Sequence, residues 1–258
     1  MERPVQDGQG VLRGAVAVDG PSGTGKSTTA RRLAIGLDAR YLDTGAMYRA
    51  VTLAVMRSGT SLDAADTSAE GRDAVVDVVL AARLDLSTDP QEPRVRLDGE
   101  DVGAEIRGPG VTKAVSAVSA IGAVRRHLVA EQRRIVAEAA ADGHGIVVEG
   151  RDIGTVVVPD APLKIFLTAS ETVRAERRTA EDTAAGRSGA AARDDTRSDL
   201  ARRDRLDSTR AASPLHPADD AVEVDTSALD IDGVLARLHT LAAERGLVAG
   251  AYVGAPGG

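Results

Sequence analysis

Short apolar runs alternate with amphipathic segments along the first sixty residues. Residues 14–19 read G-A-V-A-V-D, a buried strand, and residues 41–42 predict a second short strand. A glycine-rich turn separates the first strand from a helix over 27–37, and a second helix follows over 45–57. This strand–turn–helix–strand order is typical of a doubly wound α/β fold with a parallel sheet.

The middle of the chain interrupts that alternation. Valines and a leucine form an apolar stripe that predicts a helix over 71–82, and the short alternating runs 84–86 and 95–97 predict an antiparallel ribbon. We therefore expect an insertion near residues 71–103. A helical segment follows over 111–141, with a break near Gly122.

The second half returns to strands and helices. Its apolar runs predict strands over 145–149, 163–167 and 221–224, and its amphipathic runs predict helices over 171–184, 195–206 and 231–245. Residues 184–195 are small and polar, and we expect a mobile loop there.

Composition excludes several classes of protein. The 258 residues carry a net charge of −7 and four aromatic side chains, which disfavours binding to nucleic acid. The chain has no cysteine, which excludes disulfides and thiolate metal sites. No apolar run approaches the roughly 20 residues of a membrane helix, and residues 1–10 are polar, without the apolar core that is typical of a signal peptide. We expect a cytoplasmic protein that contacts no membrane.

Arginine accounts for 29 of the 32 basic residues. A GC-rich genome explains most of this excess, so the useful question is which arginines lie where a phosphate needs them.

The residues after the first strand match the phosphate-loop pattern G-x-x-x-x-G-K-S/T, and they lie between a strand and a helix as that motif requires. Glycines let successive backbone N–H groups surround a phosphate, and the helix N-terminus adds positive potential. Lys26 is expected to reach the β- and γ-phosphates, and the Ser27 hydroxyl to coordinate Mg²⁺. The predicted ATP phosphate-binding residues are Gly20, Pro21, Ser22, Gly23, Thr24, Gly25, Lys26, Ser27 and Thr28.

A phosphate loop specifies a nucleoside triphosphate and leaves the reaction open. The chain contains no asparagine and hence no N-K-x-D guanine motif, which argues against a GTPase. It also lacks a long apolar strand ending in D-E, which argues more weakly against helicase-like and transporter-like ATPases. Small-molecule kinases remain, in which an inserted segment holds the second substrate.

Three further blocks carry a family resemblance. They read L-D-T-G-A-M-Y-R from residue 42, E-G-R-D-I-G-T-V-V-V-P-D-A from residue 149, and R-x-x-x-D-x-x-R-x-x-x-P-L from residue 203. Together with the phosphate loop they resemble the bacterial cytidylate kinases, in family order over about residues 14–245. The resemblance implies an α/β three-layer P-loop kinase with a core parallel sheet, an inserted NMP-binding region and a short lid. It also implies transfer of the γ-phosphoryl group from ATP to CMP or dCMP, with Mg²⁺.

The resemblance also implies a domain layout. The core comprises residues 14–58, 125–178 and 200–246, the NMP-binding insertion 59–124, and the lid 179–199. We expect disordered extensions over 1–13 and 247–258. A lid around one active site is compatible with a monomer.

Site residues follow from the positions that match the family's motifs. The resemblance assigns the acceptor phosphate to Arg49, Arg151 and Arg210, with Tyr48 beside them. It assigns the base to Asp152, Arg125, Ser116 and Thr44, and the ribose to Asp207 and Arg203. Lys26, Arg151, Arg177 and Arg210 are the expected catalytic residues. Of the helical arginines Arg174, Arg177 and Arg178, Arg177 is the leading candidate for a lid residue that closes over the ATP phosphates.

Several of these residues have a plainer interpretation. Asp152 could be a capping residue or pair with Arg151, and Tyr48 could simply pack in the core. Arg125 and Arg126 could form a solvated helix face. Arg174, Arg177 and Arg178 could belong to a surface helix that pairs with Glu171, Glu176 and Glu181.

Two other functions also stay open. One is an adenylate- or uridylate-type kinase, which would differ in the base pocket, where Asp152 and Arg125 are the discriminating pair. The other is a regulatory module that binds ATP without turnover. A complete arginine set around two phosphate positions argues against that module.

Overall fold

A five-stranded parallel sheet forms the centre of the molecule. The computed structural model describes residues 11–63, 68–184, 192–210 and 212–248. The strands are β1 Ala15–Asp19, β2 Arg40–Asp43, β3 Leu84–Leu86, β4 Val95–Leu97, β5 Glu100–Asp101, β6 Ile146–Glu149, β7 Leu163–Thr168 and β8 Val222–Asp225. The parallel sheet has the strand order β2-β6-β1-β7-β8, and β3, β4 and β5 form a separate antiparallel sheet.

Helices connect these strands. Side-chain caps fix the starts of four of them, because Asp43, Ser68, Ser170 and Asp230 each accept a backbone N–H of the first turn. A 3₁₀ turn spans Glu105–Arg107, and a wide helical turn spans Ile153–Val157. The helices are α1 Lys26–Gly36, α2 Thr44–Ser58, α3 Ala69–Ala81, α4 Pro109–Ala120, α5 Gly122–Ala141, α6 Glu171–Ala184, α7 Ala192–Thr209 and α8 Ile231–Glu244.

Alternation along the strands divides the core into two layers of side chains. Val16 and Val18 of β1 belong to an apolar cluster with residues of α1 and α8. Ala17, between them, belongs to a second cluster with residues of α2 and α5 on the opposite face. Helices therefore cover both faces of the sheet, and the predicted three-layer α/β fold is confirmed.

The predicted insertion forms its own small core. The ribbon of β3 and β4 pairs at the expected residues, with Leu84 opposite Leu97 and Leu86 opposite Val95. Val95, Leu97 and Ile106 pack against Ala50 and Leu53 of α2 in a third apolar cluster. This packing fixes the insertion beside α2, the helix that carries part of the 42–49 block.

Both predicted extensions include residues that belong to the folded core. Leu12 is fully buried, its N–H donates to the carbonyl of Leu37 at 2.8 Å, and it forms an isolated bridge with Val248. Arg13 N–H donates to the carbonyl of Leu247 at 3.0 Å. The prediction of disorder is wrong for residues 11–13 and 247–248, because Leu12 and Leu247 are buried in the core and the hydrogen bonds above hold the backbone of both segments. The rest of both extensions lies outside the described residues.

The predicted loop over 184–195 is too long. Helix α7 begins at Ala192, so the last residues assigned to that loop are helical. Residues 185–191, in the middle of the predicted lid, lie outside the described residues.

The topology determines where a ligand can bind. The strands β1 and β6 are neighbours, and the connections that follow them run in opposite directions along the sheet. The connection after β1 leads to β2 at one edge, and the connection after β6 leads to β7 on the other side of β1. A crevice therefore opens at the carboxyl ends of β1 and β6, as at other switch points of α/β sheets. The phosphate loop follows β1 there, and residues 150–152 follow β6. Among the described helices, none is both long and apolar enough to cross a membrane.

Candidate active site

A single cavity of about 460 Å³ lies at this crevice. That volume is within the range of small-molecule sites. Most of the predicted site residues line it, drawn from the phosphate loop, α2, α4, α5, the turn after β6 and α7. They are Ser22, Gly23, Gly25, Lys26, Ser27, Thr28, Thr44, Tyr48, Arg49, Ser116, Arg125, Arg151, Asp152, Arg203, Asp207 and Arg210.

The phosphate loop requires glycine where it turns most sharply. A Cβ on Gly20 would lie 2.2 Å from the carbonyl oxygen of Leu167, and Gly25 has φ 86° and ψ 12° at the N-cap of α1. No side chain caps α1, so its first N–H groups face the cavity side of the loop. Gly20, Pro21 and Thr24 support the loop without lining the cavity, and Thr24 Oγ1 donates to the carbonyl of Pro21 at 3.1 Å.

Lys26 is the buried cation of this loop. Its Nζ donates to the carbonyl oxygen of Pro21 at 2.5 Å, and only 6 % of the residue is exposed. Burial, and next the repulsion of Arg151, lower the pKa of Lys26 well below its usual value, while Glu149, Asp19 and Asp204 act in the opposite direction. A phosphate in the cavity would supply the anion that favours the charged form of this amine.

Glu149 is a functional candidate that the sequence reasoning missed. It ends β6, its Oε2 accepts from Ser27 Oγ at 3.0 Å, and its Oε1 accepts from Tyr41 Oη at 2.5 Å. Burial, with the repulsion of Asp43 next, raises the pKa of Glu149 to about 7. The sequence did contain a signal for this residue, because Glu149 is an acidic residue at the end of an apolar strand that neighbours the strand before the phosphate loop.

Ser27 and Glu149 together fit a magnesium ion. Both offer oxygen ligands to the cavity, which suits a hard cation. Within the described residues no group of three acidic, histidine or cysteine side chains could hold a metal. An ion here would therefore need phosphate oxygens and water, the usual arrangement for Mg²⁺ in kinases.

Arginines also concentrate positive charge along the cavity. Arg151 Nε donates to Asp207 Oδ2 at 3.1 Å, and Arg210 Nη1 lies 3.7 Å from Asp207 Oδ1. Burial, then the repulsion of Arg151, lowers the pKa of Arg203 to about 10. Arg203 Nε and Arg210 Nη2 are buried with no hydrogen-bond partner. Buried donors beside such a cluster favour an anionic ligand.

Arg49 reaches the same space from α2. Its Nη1 donates to the carbonyl of Ile106 at 3.0 Å and to Thr112 Oγ1 at 2.9 Å. These contacts hold the guanidinium between α2 and the insertion. Burial lowers the pKa of Arg49 to about 9, with repulsion from Arg203 as the second cause.

A buried ion pair forms the far end of the cavity. The side chains of Arg125 and Asp152 are 4 % and 6 % exposed and pair directly. The Arg125 guanidinium lies 5.2 Å from the centre of the Tyr48 ring, and the Tyr48 hydroxyl is buried beside Gln132. Burial raises the pKa of Tyr48 to about 12. Asp152 therefore does not pair with Arg151, and Arg125 is no solvated surface residue, so both plainer interpretations are wrong.

Two serines and a threonine complete this end of the cavity. Ser116, predicted from the resemblance, and Ser119, which was not, line the cavity on successive turns of α4. Thr44 Oγ1 donates to the carbonyl of Glu149 at 2.7 Å. Thr44 thus joins the start of α2 to the end of β6.

Arg177 lies beside the phosphate loop without lining the cavity. Its guanidinium donates to the Thr226 carbonyl at 2.8 Å and to Thr226 Oγ1 at 2.9 Å, and its Nη1 also donates to the Thr24 carbonyl of the loop at 3.3 Å. Its role over the ATP phosphates stays a prediction. Arg178, the next residue, lines the cavity and lies 3.6 Å from Glu181. Arg174 is buried and pairs with Asp204 of α7, so the surface-helix interpretation is wrong for that residue.

Comparison with known proteins agrees with this geometry. The sequence profile of the cytidylate kinase family, described as "Cytidylate kinase", matches residues 16–244. The chain belongs to the cytidylate kinase family. A cytidylate kinase from Rhodococcus opacus (strain B4) is 58 % identical over 230 residues, covering 89 % of this chain and 95 % of that protein. A cytidylate kinase from Nocardia farcinica (strain IFM 10152) is 55 % identical, with 89 % and 94 % covered.

Among solved structures, a sugar kinase from Janibacter sp. HTCC2649 is 14 % identical to this cytidylate kinase family member, covers 88 % of this chain and 93 % of its own, and has a TM-score of 0.41. The predicted resemblance to cytidylate kinases is confirmed by the family match and by the curated relatives.

Proposed function

We propose that the protein transfers the γ-phosphoryl group of ATP to CMP or dCMP, releasing ADP and CDP or dCDP. One observation carries the proposal. A single cavity holds a phosphate loop at one end and a buried Arg125–Asp152 pair at the other, with arginines between them. That arrangement fits two nucleotides whose phosphates meet at the centre.

The donor end would bind the ATP phosphates. The N–H groups of the loop and the N-terminus of α1 surround an anion, and Lys26 would reach the transferring phosphate. Ser27 and Glu149 would hold Mg²⁺, which would neutralise charge on the phosphates. Because the acceptor is already an ionised phosphate, the protein mainly has to position the groups and neutralise their charge.

The acceptor end would bind the nucleoside monophosphate. We propose that Arg49, Arg151 and Arg210 bind its phosphate and that Arg203 and Asp207 bind the ribose. Planar guanidinium groups suit this task because they offer paired donors to phosphate oxygens.

The base end would distinguish cytosine from uracil. Cytosine presents an amino donor at N4 and acceptors at N3 and O2. The Asp152 carboxylate would accept from N4, and Arg125, with Ser116, would donate to the acceptors. Uracil carries a carbonyl at the same position, which an ionised carboxylate repels.

A substrate panel tests the proposal. We expect ADP release from ATP and Mg²⁺ with CMP and dCMP, and much less with UMP or AMP. Lys26→Ala should abolish most of the turnover in a protein that remains folded by circular dichroism. A preference for AMP or UMP would refute the assignment of the base pocket, and ATP binding without turnover on all four acceptors would favour the regulatory module.

The remaining parts of the assignment are also proposals. We propose an NMP-binding insertion over residues 59–124 and a lid over 179–199, with Arg178 in the role first expected of Arg177. We further propose a cytoplasmic monomer without a nucleic-acid partner, and the net charge of −7 supports the last point.

A further inference from the structure

Every polar group of Ser22 in the phosphate loop is held from outside the loop. Its N–H donates to Asp204 Oδ1 at 3.2 Å, and its carbonyl accepts from Arg174 Nη1 at 3.3 Å. Its hydroxyl accepts from Arg151 Nη2 at 2.8 Å. Asp204, Arg174 and Arg151 come from α7, α6 and the turn after β6, so three segments converge on one loop residue.

Asp204 and Arg174 hold Ser22 as one unit. Their side chains form an ion pair and are only 19 % and 11 % exposed. Close packing leaves little freedom behind the loop, because a Cβ on Gly23 would lie 2.9 Å from the Arg174 carbonyl oxygen. Neither Asp204 nor Arg174 lines the cavity, so neither is placed to touch a substrate.

The same helix carries the acceptor-site residues. On α7, Asp204 directly follows Arg203 and precedes Asp207 by three residues. Asp207 pairs with Arg151 at 3.1 Å, and Arg151 returns to the Ser22 hydroxyl. A closed circuit of contacts therefore runs from the phosphate loop through α7 to the acceptor side and back.

We propose that Asp204, held by Arg174, is a positioning residue that couples the two substrate sites. This inference rests on the proposed function for the identity of the two ligands. An acceptor bound to Arg203 and Asp207 fixes α7, and Asp204 then fixes the Ser22 N–H and the shape of the phosphate loop. A loop already ordered binds the donor more tightly, and linkage requires the same factor in the other direction.

Calorimetry measures this coupling directly. The dissociation constant of CMP is determined with and without a saturating non-hydrolysable ATP analogue and Mg²⁺, and the ratio of the two is the coupling factor. We expect a factor of about five or more for the wild type, the lower part of the usual range. Asp204→Ala should reduce the factor to within about twofold of one, while CMP binding without the analogue changes little.

Matched variants separate coupling from general damage. Glu176→Gln removes an exposed negative charge from the helix that carries Arg174 and should keep the wild-type factor. Arg174→Ala should lose coupling as Asp204→Ala does, and the double variant should lose no more than either single one. Asp204→Asn keeps an oxygen that can accept from the Ser22 N–H, so it should show an intermediate coupling factor. If Asp204→Ala does not fold, Asp204→Asn is the variant that tests the proposal.

A purely structural role predicts a different result. It would lower the melting temperature, or weaken both ligands alike, and leave the coupling factor unchanged. Wild-type coupling in a folded Asp204→Ala protein, or a wild-type factor of one, would overturn the proposal. Failure of the proposed function is distinguishable, because the wild type would then not phosphorylate CMP. The factor would in that case be measured with the acceptor that the substrate panel identifies.

Discussion

At the scale of single residues, Asp152 has two tasks that cannot be separated. It is the counterion of Arg125, which is 3 % exposed, and it is the proposed acceptor for the cytosine amino group. A buried ion pair contributes little net stability compared with an apolar pair, but removal of one partner costs about 3–5 kcal/mol. A substitution at Asp152 should therefore affect both base recognition and stability.

Asp152→Asn tests base recognition. We expect kcat/KM for CMP to fall about 10- to 100-fold, because a charged hydrogen bond to the base is lost. The ratio of CMP to UMP turnover should fall as well, since an amide no longer repels the uracil carbonyl. Steady-state ADP-release kinetics with both acceptors measure this. Asp160→Asn, at an exposed position of the same segment, should behave as the wild type. An unchanged CMP-to-UMP ratio would remove Asp152 from base recognition.

The sequence predicted which residues meet in the cavity better than it predicted their partners. Phosphate-loop spacing placed Lys26 and Ser27 correctly, since the motif specifies backbone shape as well as side chains. The sequence could not show which of Arg177 and Arg178 lines the cavity. Successive residues of a helix are rotated by about 100° around its axis, and only tertiary packing determines which of them faces the cavity. The pairing of Asp152 with Arg125 depends on α5 reaching the turn after β6, a contact far apart in the chain.

At the scale of elements, the apolar pattern predicted strands and helices well because burial on a sheet face and along a helix stripe has a distinct period. What it could not show is how one element holds another. Asp19, read only as the end of β1, accepts the N–H groups of Ile153 and Gly154 at 2.8 Å each. It thereby fixes the turn that carries Arg151 and Asp152.

Asp19 should make the stability of the protein depend on pH. Burial raises the pKa of Asp19 from 3.8 to about 6. Between pH 4 and pH 6 the Asp19 carboxyl therefore binds more protons in the native state than in the unfolded chain, and its contribution to the free energy of unfolding falls as pH rises. Asp19→Asn removes this titration. The stability advantage of the wild type over Asp19→Asn should shrink by about 1–3 kcal/mol from pH 4.5 to pH 7.

Urea unfolding of both proteins at several pH values measures that difference. Asp142→Asn, at an exposed position after α5, should keep the wild-type pH dependence. If the advantage over Asp19→Asn is the same at pH 4.5 and pH 7, Asp19 does not titrate in this window. An advantage that grows with pH would mean that its two N–H partners outweigh burial.

At the scale of the whole molecule, the net charge of −7 conceals a cationic cavity. Arg49, Arg151 and the pair Arg203 and Arg210 come from three separate segments, and the fold brings them to one place. Composition alone gives the average over the surface and cannot show this separation of charge. The scarcity of aromatic residues is consistent with a base that is read mainly by hydrogen bonds.

The insertion is tied to the core by residues that do not themselves line the cavity. Arg31 of α1 donates through Nε to the Pro90 carbonyl at 2.6 Å and through Nη2 to the Gln91 carbonyl at 3.2 Å. The Tyr41 N–H of the edge strand β2 donates to the Thr88 carbonyl at 2.9 Å. The loop between β3 and β4 is thus fastened to both α1 and the sheet, which limits how far the insertion can swing from the proposed acceptor site.

Arg31→Ala should loosen this attachment. The insertion supplies Ser116 and holds Arg49 through Ile106 and Thr112, so a freer insertion spends less time in the conformation that binds the acceptor. We expect the KM for CMP to rise several-fold, with kcat and the dissociation constant of the ATP analogue changed by less than about twofold.

Arg32→Ala is the matched control, because the neighbouring Arg32 forms an exposed 3.7 Å pair with Asp232, of a kind worth about 0–1 kcal/mol. Equal effects of the two substitutions on the KM for CMP would show that the attachment does not organise the acceptor site. A rise in the analogue's dissociation constant without a change for CMP would place the effect of Arg31 in α1 and the phosphate loop instead.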